Sequence, residues 1–219
     1  MSKKETSMPD KGVLIFGASG HAKVVIDIVE KTGMFSVRGL FDDNAALHSQ
    51  QVYGYGVMGG RDEILARDIP KLHGLVVAIG SNSIRSEVAA WLIARGACLS
   101  EALVHPSAQL ARGVQVGAGS VVMAGAVINS DSRVGRNAIV NTGAIIDHDC
   151  IIGDGVHVAP GATICGGVEV GEQALIGAGA VVHPNVRIGN KVIVGAGATV
   201  LDNIEDGMTV VGSPAKPIR

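Results

Sequence analysis

The chain has 219 residues, of which 47% are hydrophobic but only 3% aromatic, and 31 are glycine. This composition excludes a broad aromatic core and favours a narrow interior filled by small aliphatic side chains. A formal net charge of −2 at pH 7 argues against a nucleic-acid partner.

Cysteine content and the amino-terminal residues predict where the protein works. Cys98, Cys150 and Cys165 form no CxxC motif, and an odd number of cysteines is a poor basis for a disulfide framework. The first ten residues are polar, unlike a signal peptide, and no apolar run approaches the ~18 residues of a membrane span. We therefore expect a cytoplasmic protein with no membrane partner.

The first half of the chain alternates predicted strands and helices after a flexible tail at 1–11. Predicted strands are Val13–Phe16, Val37–Phe41 and Leu75–Ile79, and predicted helices are 21–31, 61–66 and 83–94. Gly33 is the expected C-cap of the first helix, and Ser83 the expected N-cap of the third. Alternating strands and helices are typical of a parallel sheet, so 12–103 are predicted to form a small Rossmann-like α/β domain.

A glycine-rich turn, GASG at 17–20, joins the first strand to the first helix. Free N–H groups at a helix start bind phosphate oxygens, and Asp42 ends the next strand where dinucleotide sites place a ribose-binding acid. Ser19 replaces the middle glycine of G-x-G-x-x-G, so the motif favours a nucleotide or nucleotide-sugar phosphate over a redox cofactor. The alternative is that Gly17 and Gly20 only make the turn.

The second half of the chain is a six-residue repeat. Every sixth residue from Val104 to Val200 is Val, Ile or Leu, seventeen in unbroken succession, and the residue four positions later is usually small. A period of six fits neither a helix nor an alternating strand, but it fits a chain that turns a corner every six residues. Glycines directly after the aliphatic residues, such as Gly117 and Gly135, are expected to supply the backbone freedom of the corners.

Three such faces close one coil of eighteen residues, and this pattern resembles the left-handed parallel β-helix of the hexapeptide acyltransferases. A glycine- and valine-rich β-sandwich would not hold so strict a period over seventeen steps. The predicted fold class is thus an α/β N-terminal Rossmann-like domain followed by a left-handed parallel β-helix at 104–204, with a C-terminal tail at 205–219.

One corner of the repeat combines two carboxylates with an imidazole. Asp147 and Asp149 flank His148, and a histidine that titrates near neutrality beside an orienting carboxylate is suited to act as a general base. The alternative is a solvent-exposed polar corner without a function. The sequence leaves open which of the two carboxylates is the partner of His148.

Register places further residues relative to His148. Asn141 stands seven residues before it and His157 nine after it, whereas Ser130 and Gly166 lie one coil to either side, where they are expected to leave room for a ligand beside the ring. Metal is not expected: none of His105, His148, His157 and His183 lies eighteen residues from another, as a three-histidine zinc site across coils would need.

Five segments together resemble the bacterial sugar acetyltransferases described as sialic acid O-acetyltransferase-like. The segments are GASGHAKVV, LFDD, VAIGSNSIR, NTGAIIDHDCIIGDGVHVAPGA and VGSPAK. The resemblance extends from Val13 to Lys216 and is strongest to the bacillosamine and GDP-perosamine N-acetyltransferases. It implies acetyl-CoA-dependent acetylation of a nucleotide-linked 4-amino-4,6-dideoxy sugar, and a homotrimer with acetyl-CoA in the groove between neighbouring solenoids.

The resemblance also implies roles for individual residues at the acetyl-transfer site. His148 is the implied general base, Asp149 raises its basicity, and Asn141 lies near the sugar amine. His157 is the implied contact of the thioester region. The backbone along the CoA arm is that of Gly166, Ala178 and Ala196.

A second set of implied residues binds the nucleotide sugar in the N-terminal domain. The implied phosphate contacts are Ser19, Gly20 and His21. The implied ribose or base contacts are Asp42 and Asp43, and the residues that line the same pocket are Gly80 and Ser81.

Three alternatives stand beside this interpretation. The same base could serve O-acetylation of a sialic acid or another sugar hydroxyl. The solenoid could be a non-catalytic assembly scaffold, although the Asp-His-Asp corner opposes that. A nucleotidyltransferase fused to a β-helix is disfavoured because the N-terminal domain is short and carries no catalytic signature for it.

Overall fold

A three-stranded parallel sheet flanked by helices forms the amino-terminal part of the computed structural model, which describes residues 11–65 and 74–218. Its strands are β1 (Lys11–Phe16), β2 (Phe35–Phe41), β3 (Gln51–Val52), β4 (Tyr55–Gly56) and β5 (Gly74–Val77), and its helices are α1 (Gly20–Thr32), α2 (Arg61–Leu65) and α3 (Asn82–Ile93), with a 3-10 turn at Ala45–Leu47. The sheet order is β2-β1-β5, and β3 and β4 form a separate antiparallel pair. The predicted Rossmann-like α/β class is confirmed.

Both predicted helix caps can be compared with the structure. Gly33 follows α1 with φ 61°, the left-handed conformation of a glycine C-cap, as predicted. The predicted N-cap Ser83 is wrong: α3 is capped by Ser81, which is extended, and whose carbonyl accepts the N–H of Arg85 at 2.9 Å. The cap therefore lies two residues earlier than predicted, and the helix begins at Asn82.

The termini of the predicted elements differ slightly from the structure. Of the predicted tail 1–11, residues 1–10 lie outside the described residues, and Lys11 is already the first residue of β1. The last residue of the predicted helix 61–66 also lies outside them. No helix among the described residues is long and apolar enough to cross a membrane.

The remainder of the chain is a parallel β-helix with three faces of short strands. The first face consists of Gln109–Leu110, Val127–Ile128, Ile145–Ile146, Thr163–Ile164, Val181–Val182 and Thr199–Val200. The second consists of Gln115–Val116, Arg133–Val134, Ile151–Ile152, Glu169–Val170 and Arg187–Ile188. The third consists of Leu103–Val104, Val121–Val122, Ile139–Val140, His157–Val158, Leu175–Ile176, Ile193–Val194, Thr209–Val211 and Lys216–Pro217.

The register of this solenoid follows the repeat. Ile145 pairs with Val127 below and Thr163 above, each eighteen residues away, so one coil spans three six-residue steps. The repeating aliphatic residues from Val122 to Val200 are buried and form one continuous column. Leu110, in the first coil, keeps 38% of its surface exposed because no complete coil covers it from below. The predicted left-handed β-helix class is the fold observed.

Glycines play a different part at the corners than predicted. Gly117 and Gly135, directly after the aliphatic residue, have no positive φ, whereas the residue two positions later does, as at Gly119 (φ 74°) and Asn137 (φ 53°). A Cβ on Gly117 would come within 2.6 Å of the Gly135 backbone in the next coil. These glycines therefore permit close stacking of coils, and the left-handed turn is made by the later residue.

The final coil is shorter than the others. Thr209–Val211 pairs in parallel with Ile193–Val194 at a spacing of sixteen residues, and Ile204 bridges to Ile188 at the same spacing. Because the corner after Val200 loses two residues, the strict period ends there while the coil continues. Part of the predicted tail 205–219 thus belongs to the solenoid, and 216–217 close it with an antiparallel pair.

The two parts of the molecule share one apolar contact. Leu103, Val121, Met123 and Ile139, on or beside the third face, are buried together with residues of β1 and α1. The N-terminal domain therefore covers the lower coils of the third face and leaves its upper coils open.

Candidate active site

The Asp-His-Asp corner lies between the first and second faces. His148 is exposed, and its Nδ1 lies 2.8 Å from the Asp149 carboxylate, which can only accept, so Nδ1–H donates and Nε2 carries the free lone pair. Asp147 instead accepts the backbone N–H of His148 at 2.9 Å and the side-chain amide of Asn129 at 2.9 Å. The structure thus assigns Asp149 to the ring and Asp147 to the backbone.

Electrostatics at this corner favour the protonated ring. The hydrogen bond to Asp149, followed by the charge of Asp147, raises the pKa of His148 above its ordinary value. The hydrogen bonds from Asn129 and the His148 backbone hold the pKa of Asp147 below its usual range, so that carboxylate is ionised at neutral pH. A neighbouring negative charge stabilises the imidazolium and makes the ring a stronger base.

Gly166 lies one coil above His148, and the imidazole ring packs against it. A Cβ there would stand 2.7 Å from both Cε1 and Nε2 of His148. The sequence predicted that Gly166 would leave room for a ligand beside the His148 ring. Because Gly166 has no side chain, the ring itself occupies that room. The corner backbone turns at Asp149 in the left-handed conformation, with φ 58°.

His157 lies on the third face in an environment opposite to that of His148. Asn141 donates its side-chain amide to Nε2 of His157 at 3.0 Å, and the ring also hydrogen-bonds the backbone of Gly80. Burial, followed by the charge of Arg85, lowers the pKa of His157 to about 4. This imidazole is neutral near pH 7 and is suited to hydrogen bonding rather than to accepting a proton.

His21, in the first turn of α1, belongs to the same neighbourhood. Burial, the charge of Arg85 and that of His157 lower the pKa of His21 to about 4. Its Nε2 is buried and has no hydrogen-bond partner among the residues that the structure describes. The residue thus presents an unused polar atom where the α/β domain meets the solenoid.

Asp42 holds the turn that was predicted to bind phosphate, through hydrogen bonds to its backbone. The Ala18 N–H donates to Oδ2 of Asp42 at 2.8 Å, and the Asn44 N–H donates to Oδ1 at 2.9 Å. Ser19 and Gly20 are exposed, and the Ser19 hydroxyl makes no capping hydrogen bond. The start of α1 is therefore open to solvent at these two residues, whereas the Ala22 N–H donates to the Ser19 carbonyl at 3.1 Å.

Asp43 is engaged by α2. Arg61 donates its backbone N–H to Oδ1 at 3.0 Å and its Nε to Oδ2 at 2.7 Å. Although partial burial raises it, the hydrogen bonds and charge of Arg61 hold the pKa of Asp43 below its usual range. Both acids predicted to meet the ribose or base thus already have protein partners, and any ligand would bind them as preformed pairs.

A cleft of about 660 Å³ brings together some of the residues predicted to form the site. It lies between the start of α3 and the upper third face, and its lining includes Gly80, Ser81, His157, Leu175 and Lys191. His148 lies elsewhere, on the corner opposite the third face, so the solenoid body separates it from His157 within one chain. Ala178 and Ala196 are exposed one coil apart at the corner between the third and first faces.

Three functional candidates were missed by sequence reasoning. Asn129 fixes Asp147, whereas Asn82 and Arg85 link α3 to the solenoid. The two α3 residues stand in the SNSIR segment, which follows the predicted strand Leu75–Ile79. That position was the sequence signal that could have identified them. No cluster of three or more possible metal ligands occurs among the described residues.

A glycine-rich α/β domain docked on a hexapeptide β-helix with a carboxylate-paired histidine defines a two-domain hexapeptide acyltransferase. Two family models match the chain: the PglD N-terminal domain over 12–92, and the bacterial transferase hexapeptide (six repeats) over 131–166 and 167–202. No curated protein sequence matches it.

Solved structures extend the likeness to almost the whole chain. GDP-perosamine N-acetyltransferase of Caulobacter crescentus, a histidine-to-alanine variant with CoA and GDP-perosamine, is 40% identical, with a TM-score of 0.89 over 96% of this chain and 98% of that one. The PglB acetyltransferase domain of Neisseria gonorrhoeae in complex with acetyl coenzyme A is 36% identical, with a TM-score of 0.87 over 96% and 100%. WeeI of Acinetobacter baumannii is 28% identical, with a TM-score of 0.84 over 94% and 99%.

The chain therefore belongs to the hexapeptide-repeat sugar acetyltransferases of the bacillosamine and perosamine type.

Proposed function

We propose that this protein transfers the acetyl group of acetyl-CoA to the 4-amino group of a nucleotide-linked 4-amino-4,6-dideoxy sugar. The observation that carries the proposal is the His148–Asp149 pair, an exposed imidazole whose partner leaves Nε2 free to accept a proton. It is supported by 40% identity to an enzyme whose structure contains CoA and GDP-perosamine. Cytoplasmic location, expected from the sequence, is part of this proposal.

In the proposed reaction the amine nitrogen attacks the thioester carbonyl carbon. As the C–N bond forms, Nε2 of His148 takes a proton from the nitrogen, and Asp149 stabilises the imidazolium that results. The C–S bond then breaks, and the imidazolium returns the proton to the departing CoA thiolate. The transfer is direct and needs no covalent intermediate. Cys150 is unsuited as a nucleophile because burial raises the pKa of its thiol.

We place the complete site between chains. His148 and the cleft at His157 lie on opposite sides of one solenoid, so a base and an amino sugar can meet only if neighbouring copies contribute the two halves. The corner is flanked by exposed apolar residues, Ile145 (39% exposed), Ile151 (50%) and Val181 (39%), which a second copy would cover. A cyclic homotrimer joins every corner to a neighbouring third face, and we propose that assembly.

The two substrates then have separate places. Acetyl-CoA lies in the groove between solenoids, along Gly166, Ala178 and Ala196, and its thioester region approaches His157. The amino sugar lies beside Asn141. Its diphosphate meets the start of α1 at Ser19, Gly20 and His21, its ribose or base meets Asp42 and Asp43, and Gly80 and Ser81 line the pocket.

Thiol titration of CoA released from acetyl-CoA tests the proposal. The acceptors are UDP- and GDP-linked 4-amino-4,6-dideoxy sugars, with free and CMP-linked sialic acid as comparison. We expect turnover on one amino sugar that is lost in His148→Ala. Turnover on sialate alone would instead make the protein an O-acetyltransferase, and no turnover together with no CoA binding would leave a non-catalytic scaffold.

A further inference from the structure

Arg85 is a fully buried guanidinium between the two domains, with 1% of its surface exposed. Within the described part of the chain, all hydrogen bonds of the guanidinium go to neutral oxygens. The acceptors are the carbonyls of Asn137 (2.9 Å), Ile79 (3.0 Å), Gly80 (3.2 Å) and Gly155 (2.7 Å), and Oδ1 of Asn82 (2.9 Å).

These acceptors belong to two separate structures. Ile79 and Gly80 lie in the loop between β5 and α3, where Gly80 lines the cleft, whereas Asn137 and Gly155 are corner residues of successive coils, eighteen residues apart. Asn82 extends the contact to the next coil, since its amide donates to the carbonyls of Gln173 and Ala174 at 3.0 and 2.9 Å. The start of α3 is thereby attached to three consecutive corners of the solenoid.

The guanidinium has no carboxylate partner among the described residues. Burial lowers the pKa of Arg85 to about 10, which leaves it charged at neutral pH. A buried charge is costly, but apolar packing in its place would leave the oxygens around it without donors. Arginine meets this need with a planar fork that holds several carbonyls at fixed angles, and this geometry suits alignment of the two domains.

We propose, on the basis of the function proposed above, that Arg85 is a positioning residue that sets the nucleotide-sugar cleft of the α/β domain against the coil carrying His157. The Gly80 carbonyl receives Nη1 of Arg85 while the Gly80 backbone also bonds the His157 ring. The positive charge of Arg85 beneath the cleft also favours binding of an anionic diphosphate ligand. Arg85 acts through Gly80 and His157.

The test is steady-state kinetics of Arg85→Gln and Arg85→Lys with the preferred nucleotide amino sugar at saturating acetyl-CoA. We expect the KM for the nucleotide sugar to rise about ten- to hundredfold in Arg85→Gln, because small misplacements of a binding group have effects of that size, while kcat stays within threefold. Arg85→Lys keeps the charge but loses the planar fork, so its KM for the nucleotide sugar should lie between those of the wild type and Arg85→Gln. The matched control is Arg95→Gln, an exposed arginine that stacks on Trp91, which should match the wild type.

The outcomes separate positioning from stability. A purely structural role would reduce the active fraction, so kcat would fall with KM unchanged, and that result or full equality with Arg95→Gln would overturn the inference. If the wild type releases no CoA with any amino sugar, the proposed function fails first. Calorimetric titration with UDP and GDP then decides: weaker binding by Arg85→Gln supports the inference, and equal or absent binding by both proteins overturns it.

Discussion

Two histidines of the same solenoid show how surroundings determine what one side chain can do. His148 stands exposed at a corner beside two carboxylates, and the pKa of its ring is raised. His157 is largely buried near Arg85, and the pKa of its ring is lowered to about 4. The first is therefore suited to take a proton and the second to remain neutral and orient a ligand.

The proposed difference between His148 and His157 is tested most strongly by removing the base, His148. His148→Ala should lower kcat by about 10²- to 10⁴-fold, the usual contribution of a positioned general base, with little change in CoA affinity. Steady-state kinetics measures kcat, and calorimetric titration measures CoA affinity. A variant with wild-type kcat would show that the proton is accepted elsewhere.

A second test displaces the ring without removing it. Gly166→Ala places a Cβ 2.7 Å from the His148 ring, so the imidazole must move, and kcat should fall about ten- to hundredfold. Gly56→Ala is the matched control, because Gly56 has no positive φ and its added Cβ would meet no atom of the described residues within 4 Å. Equal activity of the two variants would contradict the ring position.

A third test separates the two carboxylates. Asp149→Asn should lower kcat/KM about tenfold, the effect of losing one charge-assisted hydrogen bond, and asparagine tolerates the left-handed backbone there. Because Asp149 raises the pKa of His148, the acidic limb of the pH–rate profile should shift to lower pH. Asp147→Asn should shift the limb in the same direction but leave kcat/KM closer to the wild type. The reverse order would make Asp147 the partner of the ring.

The smallest expected effect concerns stability and His157. Because the pKa of His157 is lower in the folded chain than the 6.5 of an unperturbed histidine, the unfolded chain binds more protons between these values. The free energy of unfolding should therefore decrease as pH falls from about 6.5 towards 4. Thermal unfolding at several pH values should show a weaker dependence for His157→Gln, and an unchanged dependence would contradict the burial of a neutral ring.

How far the sequence led can be judged at particular positions. The period of six predicted the column from Val122 to Val200, since each step depends only on local backbone geometry. It did not predict the sixteen-residue final coil, because the shortened corner after Val200 has no periodic signal. The glycines of the repeat were predicted to give the corners backbone freedom, but they permit close stacking of coils. The sequence did not reveal this because the stacked residues lie eighteen positions apart.

The sequence by itself determined the fold class and the presence of an Asp-His-Asp corner, because both are short-range patterns that repeat or stand out along the chain. Only the tertiary structure decided that Asp149, not Asp147, meets the ring, since this depends on how the corner directs each side chain. It also decided that Arg85 and Asn82 join α3 to the solenoid. Those partners lie 52 to 92 residues away in the sequence, and no local pattern records contacts made across such distances.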